Sequence, residues 1–455
     1  MGEIIERRAK WTVVAIAVFG LALRMAAAQG GLWLDEAWSA VMAQEAGTPL
    51  GIFLNINHDN NHHLNSLWLQ LVGQSGPPML QRALSIVAGT VTILIAARIG
   101  ARRNAGTAIL TALFLALSPL LVTYGSEARG YAPMLLALMC AADLVDRWLA
   151  HPATPPPAIA LAIAALLGLL AHLTMAFGLV ALGLWSLWQL RQQRAQLFGM
   201  LARLWGLAAM AAAIALALIF IPAWRSGGMA FGAAEPFTFI QLGAGLVHAF
   251  RYAFGGIWSA VAIIAPAAML LGIPQGRLAA CGYACLLAPP LLVLAAQMPN
   301  AGFARLYLIP ATGALLLLAL LLGNSFAQGK RVLPLLFAAA TLLLMAWGTA
   351  PLIEGRRADP AQAIAAIAAR TGTADLALDH SRSEATLRAA AASARYPLTI
   401  RQSCPAARFL FLERDGDAPF PATPSHCGAR YRGIAGAFAQ GLSGTHWKLY
   451  ERAER

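Results

Sequence analysis

The sequence predicts an α-helical multi-pass membrane protein with about eleven transmembrane helices and a small C-terminal α/β domain outside the membrane. Of its 455 residues, 59% are hydrophobic and 12% are charged, whereas soluble domains have about 45–50% apolar and about 25% charged residues. Residues 1–351 contain 19 Lys and Arg and 10 Asp and Glu, whereas residues 352–455 contain 14 and 10. We therefore expect a membrane domain over 1–351 and a water-soluble domain over 352–455. This distribution excludes a soluble enzyme, a disordered chain and a secreted disulfide scaffold.

Eleven apolar stretches are candidates for membrane spans, because a span needs about 20 mostly apolar residues. The apolar run from Ala158 to Leu190 is too long for one span, and we divide it at the polar break around His172 and Thr174. The predicted spans are 11–28, 79–99, 104–122, 131–149, 157–172, 173–190, 203–222, 257–273, 278–297, 304–323 and 332–350.

Basic residues before the first span and in every second gap between spans predict the orientation, because cytoplasmic loops are enriched in Lys and Arg. The alternate gaps are poor in charge, and the first of them, the outer loop 29–78, contains no Lys or Arg. We expect the N-terminus in the cytoplasm and, with an odd number of spans, the C-terminal domain on the outer side. The basic start, the apolar run and Ala26-Ala27-Ala28 could form a signal peptide with a cleavage site. We expect an uncleaved helix instead, because ten more spans follow it, and in either case the next loop lies outside. The net charge of +13 then concerns orientation, and we expect no nucleic-acid partner. The basic residues are Arg7, Arg8, Lys10, Arg98, Arg102, Arg103, Arg147, Arg191, Arg194, Arg203, Arg277, Lys330 and Arg331.

The C-terminal domain alternates between helical and extended patterns. Its predicted helices cover 360–370 and 383–395, and its predicted strands cover 374–378, 408–412 and 447–450. Cys404 and Cys427 could pair in an oxidising compartment, and the sequence leaves this disulfide open.

The first outer loop contains three His and five Asn besides its carboxylates, which is unusual for a solvated linker. Short helices along the membrane surface would hold Asp35 and Asp59 near the lipid boundary. Poor solvation raises carboxylate pKa values there, so either residue could act as a general base. The alternative for Asp35 and Glu36 is an acidic pair at a helix N-terminus without a catalytic task. Asp59, His62 and His63 have the residue types of a divalent-metal site, although His-rich loops are more often polar surface.

Other polar residues are predicted on the same outer side. Glu127 and Arg129 lie between Tyr124 and Tyr131, and an Arg at this position could bind phosphate with its rigid set of donors. An aromatic belt with an Arg reaching to the interface is the alternative. Arg305 and Tyr307 likewise place an Arg close to a Tyr at the predicted outer end of the tenth span. His172 lies at a predicted outer turn. Their shared side predicts one outward-facing site.

Five short motifs follow one another along the chain: Leu34-Asp35-Glu36, Asp59 to Trp68, Arg82 to Ser85, Tyr124 to Tyr131, and Arg305 to Pro310. Together they resemble the motifs of the superfamily C membrane glycosyltransferases, which use polyprenyl-phosphate sugar donors. The similar subgroup contains bacterial protein O-mannosyltransferases, aminoarabinose transferases and rhizobial galacturonosyltransferases. At His63-Leu64 the sequence departs from the usual His-Pro or Pro-Pro, which indicates a changed acceptor side or loop geometry.

This resemblance implies an inverting transfer of a monosaccharide to a hydroxyl of an envelope glycan, lipid or protein, outside a bacterial inner membrane. Asp35, with Glu36 beside it, would be the catalytic carboxylate, and Arg129 and Arg305 would bind the donor phosphate. Glu127 would hold Arg129 in place. The implied pocket and supporting residues are Asp59, His62, His63, Tyr124, Tyr131, His172 and Tyr307. A divalent ion held by Asp59, His62 and His63 stays open, because metal use varies in the family.

A transporter or flippase for a lipid-linked or amphipathic substrate is the main alternative. Such a protein should carry ionisable residues deep in its spans. The predicted spans are nearly devoid of them, since Asp143 and Asp146 lie near the inner end of the fourth span. The pattern therefore favours an enzyme.

Overall fold

The computed structural model describes residues 2–232, 235–355, 357–401, 404, 406–416 and 418–453, with only the main chain of 2–6 and 257–259. Helices occur at each of the eleven predicted spans, which confirms the predicted fold class. By length and composition, six of the described helices are long and apolar enough to cross a membrane. The helices before the C-terminal domain are α1 (Gly2–Ala27), α2 (Leu34–Glu45), α3 (Pro49–Leu54), α4 (His63–Val72), α5 (Pro78–Gln81), α6 (Ala83–Ala101), α7 (Ala105–Leu117), α8 (Pro119–Tyr124), α9 (Tyr131–Ala150), α10 (Ala158–Ala171), α11 (Met175–Leu190), α12 (Leu197–Arg225), α13 (Phe239–Phe254), α14 (Ile257–Leu271), α15 (Arg277–Ala295), α16 (Leu308–Ala327) and α17 (Val332–Gly355).

Two helices depart from the predicted pattern. The third predicted span is divided into α7 and α8, because Pro119 lacks the N–H that would continue the helix from Ser118. Helix α13 lies within a stretch predicted as an outer loop. It begins at Thr238, whose hydroxyl accepts a hydrogen bond from Gln241 N, and it ends at Gly255 with φ of 80°. Its polar residues interrupt the apolar run, so hydropathy alone does not reveal it.

The helices form a bundle around α16, in which 94% of the most apolar stretch is buried. Helices α7 and α15 pack against α16. In contrast, α12 and α17 bury only 28% of the corresponding stretch and expose large apolar side chains such as Met210 and Leu343. A helix that is apolar all round and yet exposed in the protein is typical of a lipid-facing span.

An ion-pair cluster joins the C-terminal ends of α6 and α9 to the start of α15. Asp143 accepts from Arg98 at 2.5 Å and from Arg102 at 2.7 Å. Asp146 accepts from Arg102 at 2.7 Å and from Arg277 at 2.8 Å. Both aspartates are buried, so the two acidic residues of α9 hold the three helices together at this end of the bundle.

The C-terminal domain is a mixed sheet with two helices. The strand order is β2-β1-β3-β6-β5-β4, with β1 parallel to β2 and β3, and the other pairs antiparallel. All five predicted elements occur, whereas β2, β4 and β5 were not predicted because they are short or rich in Gly and Arg. A disulfide joins Cys404 and Cys427. The elements are α18 (Ala361–Ala368), β1 (Ala374–Leu378), α19 (Ser383–Ser393), β2 (Leu398–Arg401), β3 (Phe409–Arg414), β4 (Ser425–His426), β5 (Ala429–Ala437) and β6 (His446–Arg452).

The C-terminal domain is anchored to the membrane part by buried polar contacts. Arg357 donates to the carbonyl of Ala27 at 2.6 Å and to the hydroxyl of Ser126 at 2.6 Å. The carboxylate of Asp359 accepts from Gly31 N at 2.7 Å. Helix α19 also packs against α2, where Ala389 joins the apolar cluster of the first outer loop. These contacts fix the domain over the outer ends of the helices.

Candidate active site

A cavity of about 440 Å³ lies between the first outer loop, the loop before α16 and the C-terminal domain. It brings together six of the predicted site residues, which come from three separate predicted outer segments. These six are Asp35, Asp59, Tyr124, Glu127, Arg129 and Arg305. The prediction of one shared site is therefore consistent with the geometry at this end of the bundle.

Asp35 is placed at the cavity wall by the start of α2. The carboxylate of Glu36 accepts a hydrogen bond from Trp33 N at 3.1 Å, which satisfies a free donor at the helix N-terminus. Asp35 therefore lies in the first turn, where the helix dipole favours an anion. Its Oδ2 accepts a hydrogen bond from Arg129 and lies 3.5 Å from Nη1 of Arg305. Two arginines thus converge on one carboxylate oxygen.

Arg129 is held rigidly beside Asp35. Its Nη2 donates to the Asn60 side chain at 2.7 Å, and its guanidinium carbon lies 5.1 Å from the centre of the Tyr131 ring and 5.8 Å from that of Trp33. Its Nε is buried and has no hydrogen-bond partner among the described residues. Arg305 is more exposed, and its guanidinium carbon lies 4.2 Å from the centre of the Phe303 ring.

Glu36 faces away from the cavity and is fully buried against Arg82. Arg82 donates from Nε at 2.8 Å and from Nη2 at 2.5 Å to the two carboxylate oxygens of Glu36. Ala128 N donates to Oε1 of Glu36 at 2.7 Å. Burial alone would raise the pKa of Glu36, but the charge and hydrogen bonds of Arg82 outweigh burial and hold the pKa below its ordinary value. The geometry favours a structural role for Glu36.

Glu127 lines the cavity, and its carbonyl accepts a hydrogen bond from Arg129 N at 2.8 Å. Among the described residues, its carboxylate pairs with other partners than the Arg129 guanidinium. Its Oε1 accepts a hydrogen bond from the hydroxyl of Ser443 and lies 3.8 Å from Nε of Arg357. Its Oε2 is buried without a hydrogen-bond partner among the described residues. Burial raises the pKa of this carboxyl from the ordinary value of 4.5 to about 7, so a neutral form is accessible near neutral pH.

Asp59 differs from the expectation of a raised carboxylate pKa. Partial burial would raise the pKa, but the hydrogen bond and charge of His58 hold it below its ordinary value. The Nδ1 of His58 lies 2.9 Å from Oδ1 of Asp59, and Gly232 N donates to the same oxygen at 3.3 Å. A contact between the 56–60 stretch and the segment after α12 positions this carboxylate.

The proposed metal ligands do not converge. Nδ1 of His62 accepts a hydrogen bond from Gly130 N at 2.9 Å, and its ring lies 4.7 Å from that of His172. His63 packs against Phe53 with 5.0 Å between the ring centres, and burial lowers its pKa to about 4. Among the described residues, no group of three or more His, Cys, Asp or Glu side chains could hold a metal ion. The residues present therefore do not fit the expected metal site.

The remaining predicted residues support the cavity from behind. The Tyr131 ring lies 4.6 Å from that of Tyr124 and 4.3 Å from that of His172. The hydroxyl of Tyr307 donates to the carbonyl of Ala301 at 2.8 Å, which braces the loop that carries Arg305. Of these four residues, only Tyr124 lines the cavity.

The sequence did not identify several cavity residues. Trp38 lies one turn after Asp35 on α2, and this spacing could have indicated it. Arg382, Asp415 and Ser443 come from the C-terminal domain, and no local pattern marks them because only the folded chain brings them to the cavity.

Solved structures show a similar architecture. The crystal structure of ArnT from Cupriavidus metallidurans bound to undecaprenyl phosphate matches with a TM-score of 0.53 and 13% identity, covering 96% of this chain and 97% of ArnT. The structure of ArnT from the same organism in the apo state has a TM-score of 0.42 and 15% identity, with 86% of each chain covered. No protein-family model matches the sequence, and no curated protein matches it. The chain therefore has the fold of the ArnT structure bound to undecaprenyl phosphate, and its long apolar helices indicate an integral membrane protein.

Proposed function

We propose that this protein is an inverting glycosyltransferase that moves a monosaccharide from a polyprenyl-phosphate carrier to an acceptor hydroxyl of a cell-envelope molecule. The convergence of Arg129 and Arg305 on the carboxylate of Asp35 carries this proposal. The site combines a base with two cations that match a phosphate, inside one cavity. The ArnT structure with a similar fold is bound to undecaprenyl phosphate, which supports a polyprenyl-phosphate carrier.

The arginines would bind the donor phosphate and stabilise it as the leaving group. When the bond between the anomeric carbon and the phosphate oxygen breaks, the phosphate keeps the electron pair and its charge becomes more negative by one. Preorganised cations stabilise such developing charge without solvent reorganisation. Arg129 is the more rigid of the two, because Asn60 and two aromatic rings hold it.

Asp35 would accept the proton of the attacking hydroxyl. The hydroxyl oxygen forms the new bond to the anomeric carbon from the face opposite the phosphate, which inverts the configuration, and its proton moves to the Asp35 carboxylate. While Asp35 is paired with two arginines it is a poor base. A donor phosphate that takes over the arginine contacts would release the carboxylate, so donor binding would activate the base.

The positive charge at the opposite end of the bundle supports an orientation with the cavity outside the cytoplasmic membrane of a bacterium. Arg98, Arg102, Arg103, Arg147 and Arg277 surround Asp143 and Asp146 at that end. A donor in the outer leaflet would then reach the cavity from the lipid.

A paired binding and product experiment tests this function. Purified full-length protein in lipid nanodiscs should bind undecaprenyl phosphate. Mass spectrometry of envelope glycolipids and glycoproteins should show a sugar that depends on the wild-type chain and is lost with Asp35→Asn. Glu45→Gln is the matched control, since Glu45 is an exposed carboxylate at the other end of α2. A sugar that persists with Asp35→Asn would contradict the proposal, and lipid translocation without transfer would support a flippase instead.

A further inference from the structure

The cavity has a second wall that the proposed donor chemistry does not use. Arg382, Asp415 and the segment 442–445 line it from the C-terminal domain, whereas the arginines that would hold the donor phosphate belong to the membrane domain. A transfer reaction needs the acceptor hydroxyl to enter the same cavity as the donor. This wall is therefore the place where the chain can select its acceptor.

Among the described residues, the second wall has no Arg or Lys without a carboxylate partner to receive an anionic acceptor. Arg382 donates to the carboxylate of Asp415 at 2.7 Å, and its Nε lies 2.9 Å from Oε1 of the buried Glu413. Two carboxylates thus surround one guanidinium, and the cavity's other two arginines converge on Asp35. On the described part of this wall, a phosphate or carboxylate group of the acceptor would meet no free positive charge, and its approach to Asp415 would be unfavourable.

The same wall offers groups that suit neutral hydroxyls. The carboxylate of Asp415 is 66% exposed and can accept hydrogen bonds from several hydroxyls. Thr445 adds a hydroxyl at the cavity. Gly444 has φ of 99°, and a side chain there would clash with the carbonyl of Arg357, so this segment presents its main chain closely.

An aromatic side chain completes the wall. The indole N–H of Trp38 donates to the carbonyl of Arg382 at 3.0 Å, which fixes the ring between Asp35 and the C-terminal domain. Trp38 is partly exposed to the cavity. A sugar ring has hydroxyls around its edge and an apolar C–H face, so it can bond to Asp415 and Thr445 while its face packs on the indole.

We propose that Asp415, Thr445 and Trp38 form the acceptor subsite and that the acceptor is a neutral carbohydrate. This inference rests on the proposed function and specifies its acceptor. Asp415 and Arg382 act as one planar pair of acceptor and donor groups that read neighbouring hydroxyls. The hydroxyl of Ser443 donates a hydrogen bond to Glu127, which holds the segment 442–445 at the cavity.

Binding measurements on full-length protein in nanodiscs test the acceptor class. The probes are neutral hexose oligosaccharides, the same sugars with a phosphate monoester, and Ser/Thr-rich peptides. Neutral oligosaccharides should bind to the wild type, and Asp415→Asn and Thr445→Val should each weaken this binding at least tenfold. Asp375→Asn is the matched control, because Asp375 forms a similar exposed ion pair with Arg401 away from the cavity.

Undecaprenyl phosphate separates this inference from the proposed function. The affinity of the protein for undecaprenyl phosphate should change less than twofold with Asp415→Asn. Asp415 pairs with Arg382 and not with Arg129 or Arg305, which would hold the donor phosphate. If the carrier fails to bind the wild type, the proposed function fails. If the carrier binds but the neutral sugars do not, or only the phosphorylated sugars or peptides bind, the acceptor inference is overturned. Unchanged sugar binding by Asp415→Asn and Thr445→Val overturns it as well.

Discussion

Oδ2 of Asp35 lies 3.5 Å from Nη1 of Arg305, although the two residues come from opposite parts of the membrane domain. The same oxygen accepts a hydrogen bond from Arg129. In the proposed function, the donor phosphate would take the place of this carboxylate between the two arginines, so the base and the stabilisation of the leaving group would depend on the same contacts.

Replacement of Asp35 should therefore separate chemistry from binding. Asp35→Asn removes the proton acceptor but keeps the side-chain size, and general-base catalysis contributes about 10²–10⁴-fold. We expect the transfer rate to fall at least 100-fold. Because the variant no longer competes for the arginines, undecaprenyl phosphate should bind at least as tightly as it does to the wild type. Weaker carrier binding by Asp35→Asn would contradict this competition.

Replacement of either arginine should weaken carrier binding. A hydrogen bond to a charged group contributes about 1.5–3 kcal/mol, so Arg129→Gln and Arg305→Gln should each raise the Kd for undecaprenyl phosphate by about 10- to 100-fold. Titration in nanodiscs measures this change. Arg331→Gln, an exposed residue in the inner loop before α17, is the control and should leave the Kd unchanged.

Glu127 should make stability depend on pH. Its pKa in the folded protein is about 7, above the ordinary value of 4.5, so the folded state binds this proton more tightly. The contribution to stability is fully present below pH 4.5 and is lost as the pH rises through 7. The full effect is about 3 kcal/mol, since one pKa unit corresponds to about 1.4 kcal/mol.

Thermal unfolding of wild type and Glu127→Gln from pH 5 to 8 measures this dependence. The Gln variant should have a flatter profile and should be the more stable of the two at pH 8. Asp379→Asn is the control for a partly buried carboxylate elsewhere. Parallel profiles for wild type and Glu127→Gln would contradict the raised pKa.

Glu36 should be required for folding rather than for chemistry. Glu36→Ala leaves the buried guanidinium of Arg82 without its partner, and breaking such a pair costs about 3–5 kcal/mol. We expect a lower unfolding temperature and less folded protein in the membrane. If Glu36→Ala folds normally and has lost only its transfer activity, the structural role is wrong.

Cysteine labelling should reveal the orientation. Gly372 lies in an exposed turn of the C-terminal domain, and nothing lies within 4 Å of a side chain placed there. Gly372→Cys should react with a membrane-impermeant maleimide added outside the cytoplasmic membrane, and the wild type gives the background of the native cysteines. Reaction only from the cytoplasmic side would reverse the proposed topology.

The fold could be predicted from the sequence largely because lipid imposes a simple requirement on composition. The eleven spans could be predicted from hydropathy, and the division near His172 could be predicted from the polar residues that interrupt the apolar run there. Helix α13 and strand β5 were missed, since their polar or Gly residues hide the pattern. The resemblance to superfamily C agrees with the observed fold, whereas the enzyme subgroup stays a prediction.

The site could be predicted only where its residues are unusual for their location. Asp35, Arg129 and Arg305 stand out as rare charges on one side of a charge-poor chain. The partners of the Glu127 carboxylate, Ser443 and Arg357, could not be predicted because they are distant in sequence. Contacts of this kind are determined by the docking of two domains and leave no local signal.

The hydrogen bond from the Ser443 hydroxyl to the Glu127 carboxylate also has a consequence for biosynthesis. Ser443 follows Glu127 by 316 residues, so it is made well after the segment that carries Glu127. While the first helices enter the bilayer, the cavity lacks one wall and Glu127 lacks its hydroxyl donor. The nascent protein therefore cannot complete its cavity until the segment 442–445 has been made and the C-terminal domain has folded.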